Sequence, residues 1–130
     1  MNEILVPTGP AELVDQILIT QHLAQTAATV HRRSRLARRL NLMQRVAART
    51  LPEDPQFEKL RTAVVSTRQD LMQLEADLRA SDARADYDVA FVALTRAYLE
   101  TLAMLEAHKA ALDLHAEGRL SREIPPSASL

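Results

Sequence analysis

The placement of glycine and proline is the feature that most restricts the fold of this chain. The eight such residues occupy positions 7, 9, 10, 52, 55, 118, 125 and 126. Because these two residue types are the strongest helix breakers, residues 11–51 and 56–117 are long intervals in which a helix can continue. Hydrophobic residues make up 47% of the chain but aromatic residues only 3%, so helix-forming Leu and Ala supply most of the apolar surface. The 130 residues are therefore predicted to form a single all-α domain.

Three long helices are predicted, at residues 11–50, 54–80 and 84–116, between an N-terminal lead (1–9) and a C-terminal tail (118–130). The second helix has a strong start signal, with Asp54 as N-cap and Pro55 in the first turn. Its apolar stripe alternates steps of three and four residues, as in a coiled coil. With Thr67 as its single polar member, the stripe consists of Phe57, Leu60, Val64, Thr67, Leu71, Leu74 and Leu78. A tight turn is predicted within residues 79–86, where Ser81 and Asp82 are good capping residues.

Short connections favour an up-down-up three-helix bundle with long, coiled-coil-like helices. In this arrangement the first helix is longer than the other two helices can cover. Its uncovered first turns carry Leu13, Val14, Ile17 and Leu18. An apolar stripe of that kind is expected to dock on a partner protein or on a second copy of the chain. The alternative is a four-helix bundle in which the first helix is broken near residues 31–34.

The net charge of −1 conceals an uneven distribution of charge. Residues 1–51 carry seven arginines against three carboxylates (+4), whereas residues 52–130 carry nine basic and fourteen acidic residues (−5), and no Asp or Glu occurs from Gln16 to Pro52. At 100° per residue, one outward face is predicted to form a basic partner-binding strip. The strip comprises Arg35, Arg38, Leu42, Arg45 and Arg49. Arg32, Arg33 and Arg39 are predicted instead to pair with Asp70, Glu75, Asp77 or Glu100 of neighbouring helices.

No constellation typical of an enzyme occurs in the sequence. The chain has no cysteine, no glycine-rich phosphate loop and no Glu-x-x-His pair. His108 and His115 lie seven residues apart, and packed or half-exposed histidines are the expected outcome rather than metal ligands. We therefore expect no catalytic residue, metal, cofactor or small-molecule substrate. The sequence contains no long apolar run, so we predict neither a membrane span nor a signal peptide. The expected location is the cytoplasm.

The function predicted from these features is that of a non-enzymatic helical adaptor or assembly subunit, which acts through protein-protein contacts and homo-oligomerisation. One alternative is a nucleic-acid-binding accessory protein that uses the basic strip, because arginine is well suited to phosphate. The other alternative is a secretion or assembly chaperone that holds a partner's helix in a groove.

Overall fold

The structure is a computed structural model that describes residues 9–123, with side chains as far as Gly118. It contains four helices: α1 (Pro10–Thr26), α2 (Val30–Thr50), α3 (Pro55–Ala83) and α4 (Val89–Glu123). No strand occurs within residues 9–123, so the predicted all-α class is confirmed. Residues 1–8 of the predicted lead and residues 124–130 of the predicted tail lie outside the described residues.

The predicted single helix over residues 11–50 is wrong, because residues 27–29 interrupt it. Ala27 and Thr29 both have extended backbone conformations. The hydroxyl of Thr29 accepts a hydrogen bond from the Arg32 amide at 3.1 Å, which caps a new helix. The guanidinium of Arg33 donates to the Ala27 carbonyl at 3.4 Å. The break lies slightly before the 31–34 region of the alternative prediction, and it produces four helices rather than three.

Helices α3 and α4 form an antiparallel hairpin. Tyr98 lies against Glu75 and His115 lies against Asp54, so residue numbers rise along α4 as they fall along α3. The predicted α3 stripe is buried or half-buried along its whole length, as expected for the interface of such a hairpin. The packed interior around it also includes Leu105 and Leu112 of α4, both fully buried.

The turn between α3 and α4 lies later than predicted. Helix α3 continues to Ala83 and closes with two turn hydrogen bonds, from Asp86 to the Ser81 carbonyl and from Ala85 to the Asp82 carbonyl. This is the Schellman pattern, in which glycine is preferred at the left-handed position, yet that position holds Ala85 with φ 53°. The Asp88 carboxylate then caps α4 at the Phe91 amide. Helix α4 also passes through Gly118 to Glu123, because one glycine costs a helix only about 1 kcal/mol.

Helix α1 lies between α2 and the α3–α4 hairpin. It packs against α3 and α4 and also against α2, whereas no Cα atom of α2 comes within 8 Å of α3 or α4. Ala11 and Val14 join the interior of the α3–α4 hairpin, and Leu13 is also buried, at 3% exposure. The prediction that the first turns of the first helix are uncovered is therefore wrong. The break at residues 27–29 shortens α1, and its first turns lie on its own bundle.

Candidate functional site

Helix α2 contains seven arginines and no acidic residue, and most of its residues are exposed. The predicted strip residues Arg35, Arg38, Arg45 and Arg49 are all exposed, and Leu42 among them is half-buried. The opposite side of α2 holds its one fully buried residue, Met43, with half-buried Leu36 and Leu40 nearby on the same face. The structure therefore places the five predicted residues together on the outward face of α2.

None of the seven arginines of α2 has a carboxylate within 4 Å among the described side chains. The prediction that Arg32, Arg33 and Arg39 pair with carboxylates of neighbouring helices is wrong. All three are exposed, because α2 packs on α1 alone and stands away from the acidic residues of α3 and α4. Helix α2 carries a charge of +7, so the rest of the chain carries −8 (−1 − 7 = −8).

The ion pairs that join α1 to α3 and α4 involve carboxylates in the first turns of α1, and sequence reasoning missed them. Asp15 is only 1% exposed. Arg68 of α3 holds it with two hydrogen bonds, from Nε to Oδ1 at 2.6 Å and from Nη2 to Oδ2 at 2.7 Å. The Nζ atom of Lys109 in α4 lies 2.9 Å from Asp15 and 2.9 Å from Glu12. We call these four residues the inner charge cluster. The sequence signal for it was the pair of carboxylates, Glu12 and Asp15, within the apolar run of α1.

The electrostatics of the inner charge cluster favour the charged forms. Burial by itself raises the pKa of Asp15, but hydrogen bonds and charge from Arg68 and Lys109 outweigh it and lower that pKa below its ordinary value. The hydrogen bond to Asp15 raises the pKa of Arg68. Burial opposes charge on Lys109, yet its bonds to Asp15 and Glu12 raise its pKa. The cluster thus joins α1, α3 and α4 through fully paired charges, which is a structural role.

The ends of the bundle are also held by polar contacts. The Asp54 carboxylate caps α3 at the Phe57 amide, 2.7 Å away, and lies 3.0 Å from Nε2 of His115. The Ala11 amide donates to Asp113 of α4 at 2.9 Å. Within the part of the chain that the structure describes, no group of three or more His, Cys, Asp or Glu side chains could hold a metal ion.

The predicted apolar docking residues are divided between the interior and an open cleft. Leu13 and Val14 are buried, whereas Ile17 and Leu18 are half-buried. The cleft has a volume of about 500 Å³ and lies between α1, the end of α2 and the start of α3. Ile17 and Leu18 line it together with Val14 from α1 and Ala47 and Val65 from the other two helices. Whether this stripe binds a partner stays a prediction, but only Ile17 and Leu18 remain accessible to one.

The chain matches no protein-family model, and no curated protein and no solved structure is similar to it. None of the described helices combines the length and apolar character that a membrane span requires. The physical properties of its surfaces are therefore the basis for a proposed function.

Proposed function

We propose that this protein binds the phosphate backbone of nucleic acids through α2. The observation that carries the proposal is the set of seven exposed arginines on α2 that have no carboxylate partner among the described residues. Charges that serve the fold of this protein are paired, as in the inner charge cluster. A row of exposed cationic side chains without carboxylate partners is typical of a surface that binds a polyanion.

The geometry of the basic strip suits a rod of phosphate charge. Arg35 and Arg49 are separated by about 21 Å along the helix axis, at 1.5 Å per residue. A nucleic-acid duplex carries one negative charge for about every 1.7 Å of its axis, so each strip arginine has a phosphate within reach. The planar guanidinium also donates two parallel hydrogen bonds to one phosphate group. These are the properties of backbone binding.

Recognition of base sequence is not part of this proposal. Helix α2 contains no Phe, Tyr or Trp, so it has no row of large aromatic rings on which successive unpaired bases could stack. Binding is therefore expected to depend on charge and salt rather than on sequence, with a dissociation constant on the order of 10⁻⁴ to 10⁻⁶ M at physiological salt.

The test is fluorescence anisotropy of a labelled 20-base-pair duplex at several salt concentrations, with the full chain. Four phosphate contacts predict a slope of about −4 in a plot of log affinity against log salt. Changing Arg35, Arg38, Arg45 and Arg49 together to Gln should weaken binding at least about tenfold and flatten that slope. Absence of binding at about 50 mM salt would refute the proposal.

A matched control separates the strip from net charge. Four exposed basic residues outside α2 give the same change of −4 when they are replaced by Gln: Lys59, Arg61, Arg79 and Arg84. This control should retain nearly the full affinity and slope, because its cations lie on α3 and on the turn after it. Equal loss in both variants would show that binding follows total charge, and the proposal that α2 is the binding surface would then be wrong.

A second candidate function is that of a helical assembly subunit or adaptor, and the surface of α4 favours it. Val92, Leu99, Met104 and Leu114 of α4 are large apolar residues that are each more than half exposed. A run of such side chains along one helix is typical of a surface that contacts another protein. The test is co-purification. A defined partner that co-purifies with the chain, and that is lost when a charged residue replaces one of these exposed apolar residues of α4, would favour this function.

A further inference from the structure

The outward side of α4 carries an exposed row of residues with coiled-coil spacing. Successive residues of the row are four, three, four, three and four positions apart in sequence. They therefore repeat every 3.5 residues on average and lie on one face of the helix. We call it the outer seam, and it consists of Val92, Arg96, Leu99, Ala103, Glu106 and Ala110. All six residues are exposed, with Val92 at 55% and Leu99 at 59%. Nothing in the described part of the chain covers this seam.

The outer seam contains two opposite charges without a partner in the chain. Neither Arg96 nor Glu106 has an ion pair with any described residue. They cannot pair with each other, because ten residues separate them by about 15 Å along the helix. Any partner that covers the seam must present a carboxylate to Arg96 and a cation to Glu106.

A second copy of the same seam, turned antiparallel, meets both requirements. With the two-fold axis at the level of Thr101, Arg96 of each copy lies opposite Glu106 of the other. The same register sets Leu99 opposite Ala103. It also sets Val92 opposite Ala110, so each large side chain faces a small one. This alternation is the a-opposite-d register of antiparallel coiled coils, and the alanines allow the helix axes to approach to about 8 Å.

A parallel arrangement of the two seams lacks this complementarity. It would place Arg96 against Arg96 and Glu106 against Glu106, and like charges that face each other in an interface are strongly unfavourable. It would also place Leu99 on Leu99 and leave a gap between the alanines. The charge pattern therefore favours a second copy of the seam as the partner, in the antiparallel orientation.

We propose that the outer seam of α4 is a self-association surface, through which two copies of this chain form an antiparallel, two-fold symmetric dimer. The proposal does not depend on nucleic-acid binding, and it would bring two basic strips into one particle. The seam from Val92 to Ala110 is about 27 Å long. One helix from each copy makes a small interface, below about 1,200 Å² in total, so the expected affinity is in the micromolar range.

Sedimentation equilibrium of the full chain, between about 1 and 200 µM, tests the proposal. The wild-type chain should be a reversible dimer. Arg96→Glu places Glu opposite Glu at both ends of the seam and should weaken dimerisation at least about tenfold. Glu106→Arg should have the same effect through opposed arginines. The double variant exchanges the two charges and should restore the wild-type dissociation constant to within about threefold. A wild-type monomer throughout, or a double variant no tighter than the single ones, would overturn the proposal.

Mixing the two single variants provides an independent test. A chain with Arg96→Glu has two acidic seam positions, and a chain with Glu106→Arg has two basic ones. The mixture should therefore form heterodimers more tightly than either variant forms homodimers. Glu117→Arg is the matched control: it makes the same charge change on the same face of α4, beyond the paired segment, and should leave dimerisation unchanged. Absence of heterodimers, or equal weakening by the control, would contradict the antiparallel register. Far-UV circular dichroism should be unchanged throughout, because the altered side chains are exposed.

The direction of the helices can be tested by cross-linking, because the chain has no native cysteine. Oxidation of a mixture of Leu99→Cys and Ala103→Cys chains should give a disulfide between unlike chains, faster than either variant links to itself. Preferential self-linkage of each variant would indicate a parallel pair and would overturn the antiparallel arrangement.

Discussion

The arginine of the inner charge cluster and the arginines of α2 differ in both burial and pairing. Arg68 is largely buried and makes two hydrogen bonds with Asp15, whereas the seven arginines of α2 are exposed and have no carboxylate partner among the described residues. The first arrangement ties α1 to the α3–α4 hairpin. The second makes no ion pair among the described residues, and its contact with the fold is the hydrogen bond from Arg33 to the Ala27 carbonyl. A charge that stabilises this protein can therefore be distinguished from a charge that is available to a ligand by what surrounds it.

The largest expected effect comes from breaking the inner charge cluster. Asp15→Asn removes the carboxylate that pairs with Arg68 and one of the two that pair with Lys109, and these two cationic side chains are only 16% and 14% exposed. Loss of one partner from such a cluster leaves uncompensated charge, so the free energy of unfolding should fall by about 3 to 5 kcal/mol. Urea denaturation measures it. Glu12→Gln is the control, because Glu12 is 44% exposed and should matter far less. Equal losses of unfolding free energy in both variants would show that Asp15 has no special role in stability.

Two leucine substitutions compare how much the buried and the exposed faces of the α3–α4 hairpin contribute to stability. Leu71→Ala creates a cavity in the packed interior, where Leu71 is 1% exposed, and should cost about 2 to 5 kcal/mol of unfolding free energy. Leu99→Ala on the outer seam should cost less than about 1 kcal/mol under monomeric conditions. Urea midpoints of the two variants decide this. A loss below about 1 kcal/mol for Leu71→Ala would show that the α3 stripe is not the core.

The pH dependence of stability should also follow the inner charge cluster. The pKa of Asp15 is lower in the folded chain than its ordinary value of 3.8, so its contribution is present above that value and is lost as pH falls through the folded pKa. The pKa of Lys109 is raised above 10.5, so its contribution is present below that value and is lost as pH rises through the folded pKa. The stability difference between the wild-type chain and Asp15→Asn should therefore shrink in acid. A difference that stays constant down to about pH 3 would contradict this.

The smallest effect is expected on α2. Changing Arg38 and Arg45 together to Ala should alter the unfolding free energy by less than about 1 kcal/mol, because exposed charges contribute little to stability. Thermal unfolding by circular dichroism measures it, and anisotropy with the duplex should show weaker binding by the same variant. A large drop in the melting temperature would mean that these arginines have partners within the fold, and the contrast with Arg68 would disappear.

The sequence by itself determined the helical class, the start of α3 at Asp54 and the buried stripe from Phe57 to Leu78. It also determined that Arg35, Arg38, Arg45 and Arg49 share one face, because a helix fixes the direction of each side chain from residue number alone. These features are local: they depend on helix periodicity, capping residues and the positions of proline, which act over a few neighbouring residues.

Only the tertiary structure decided where the first predicted helix breaks and which charges meet. The break at residues 27–29 has no glycine or proline, and the Thr29 cap competes with a continuous helix that is locally almost as favourable. Because of that break, α1 lies on the α3–α4 hairpin, Asp15 reaches Arg68 across 53 residues and α2 is directed away from the carboxylates predicted for it. Contacts between residues so distant depend on how the helices pack, which the periodicity of each helix does not determine.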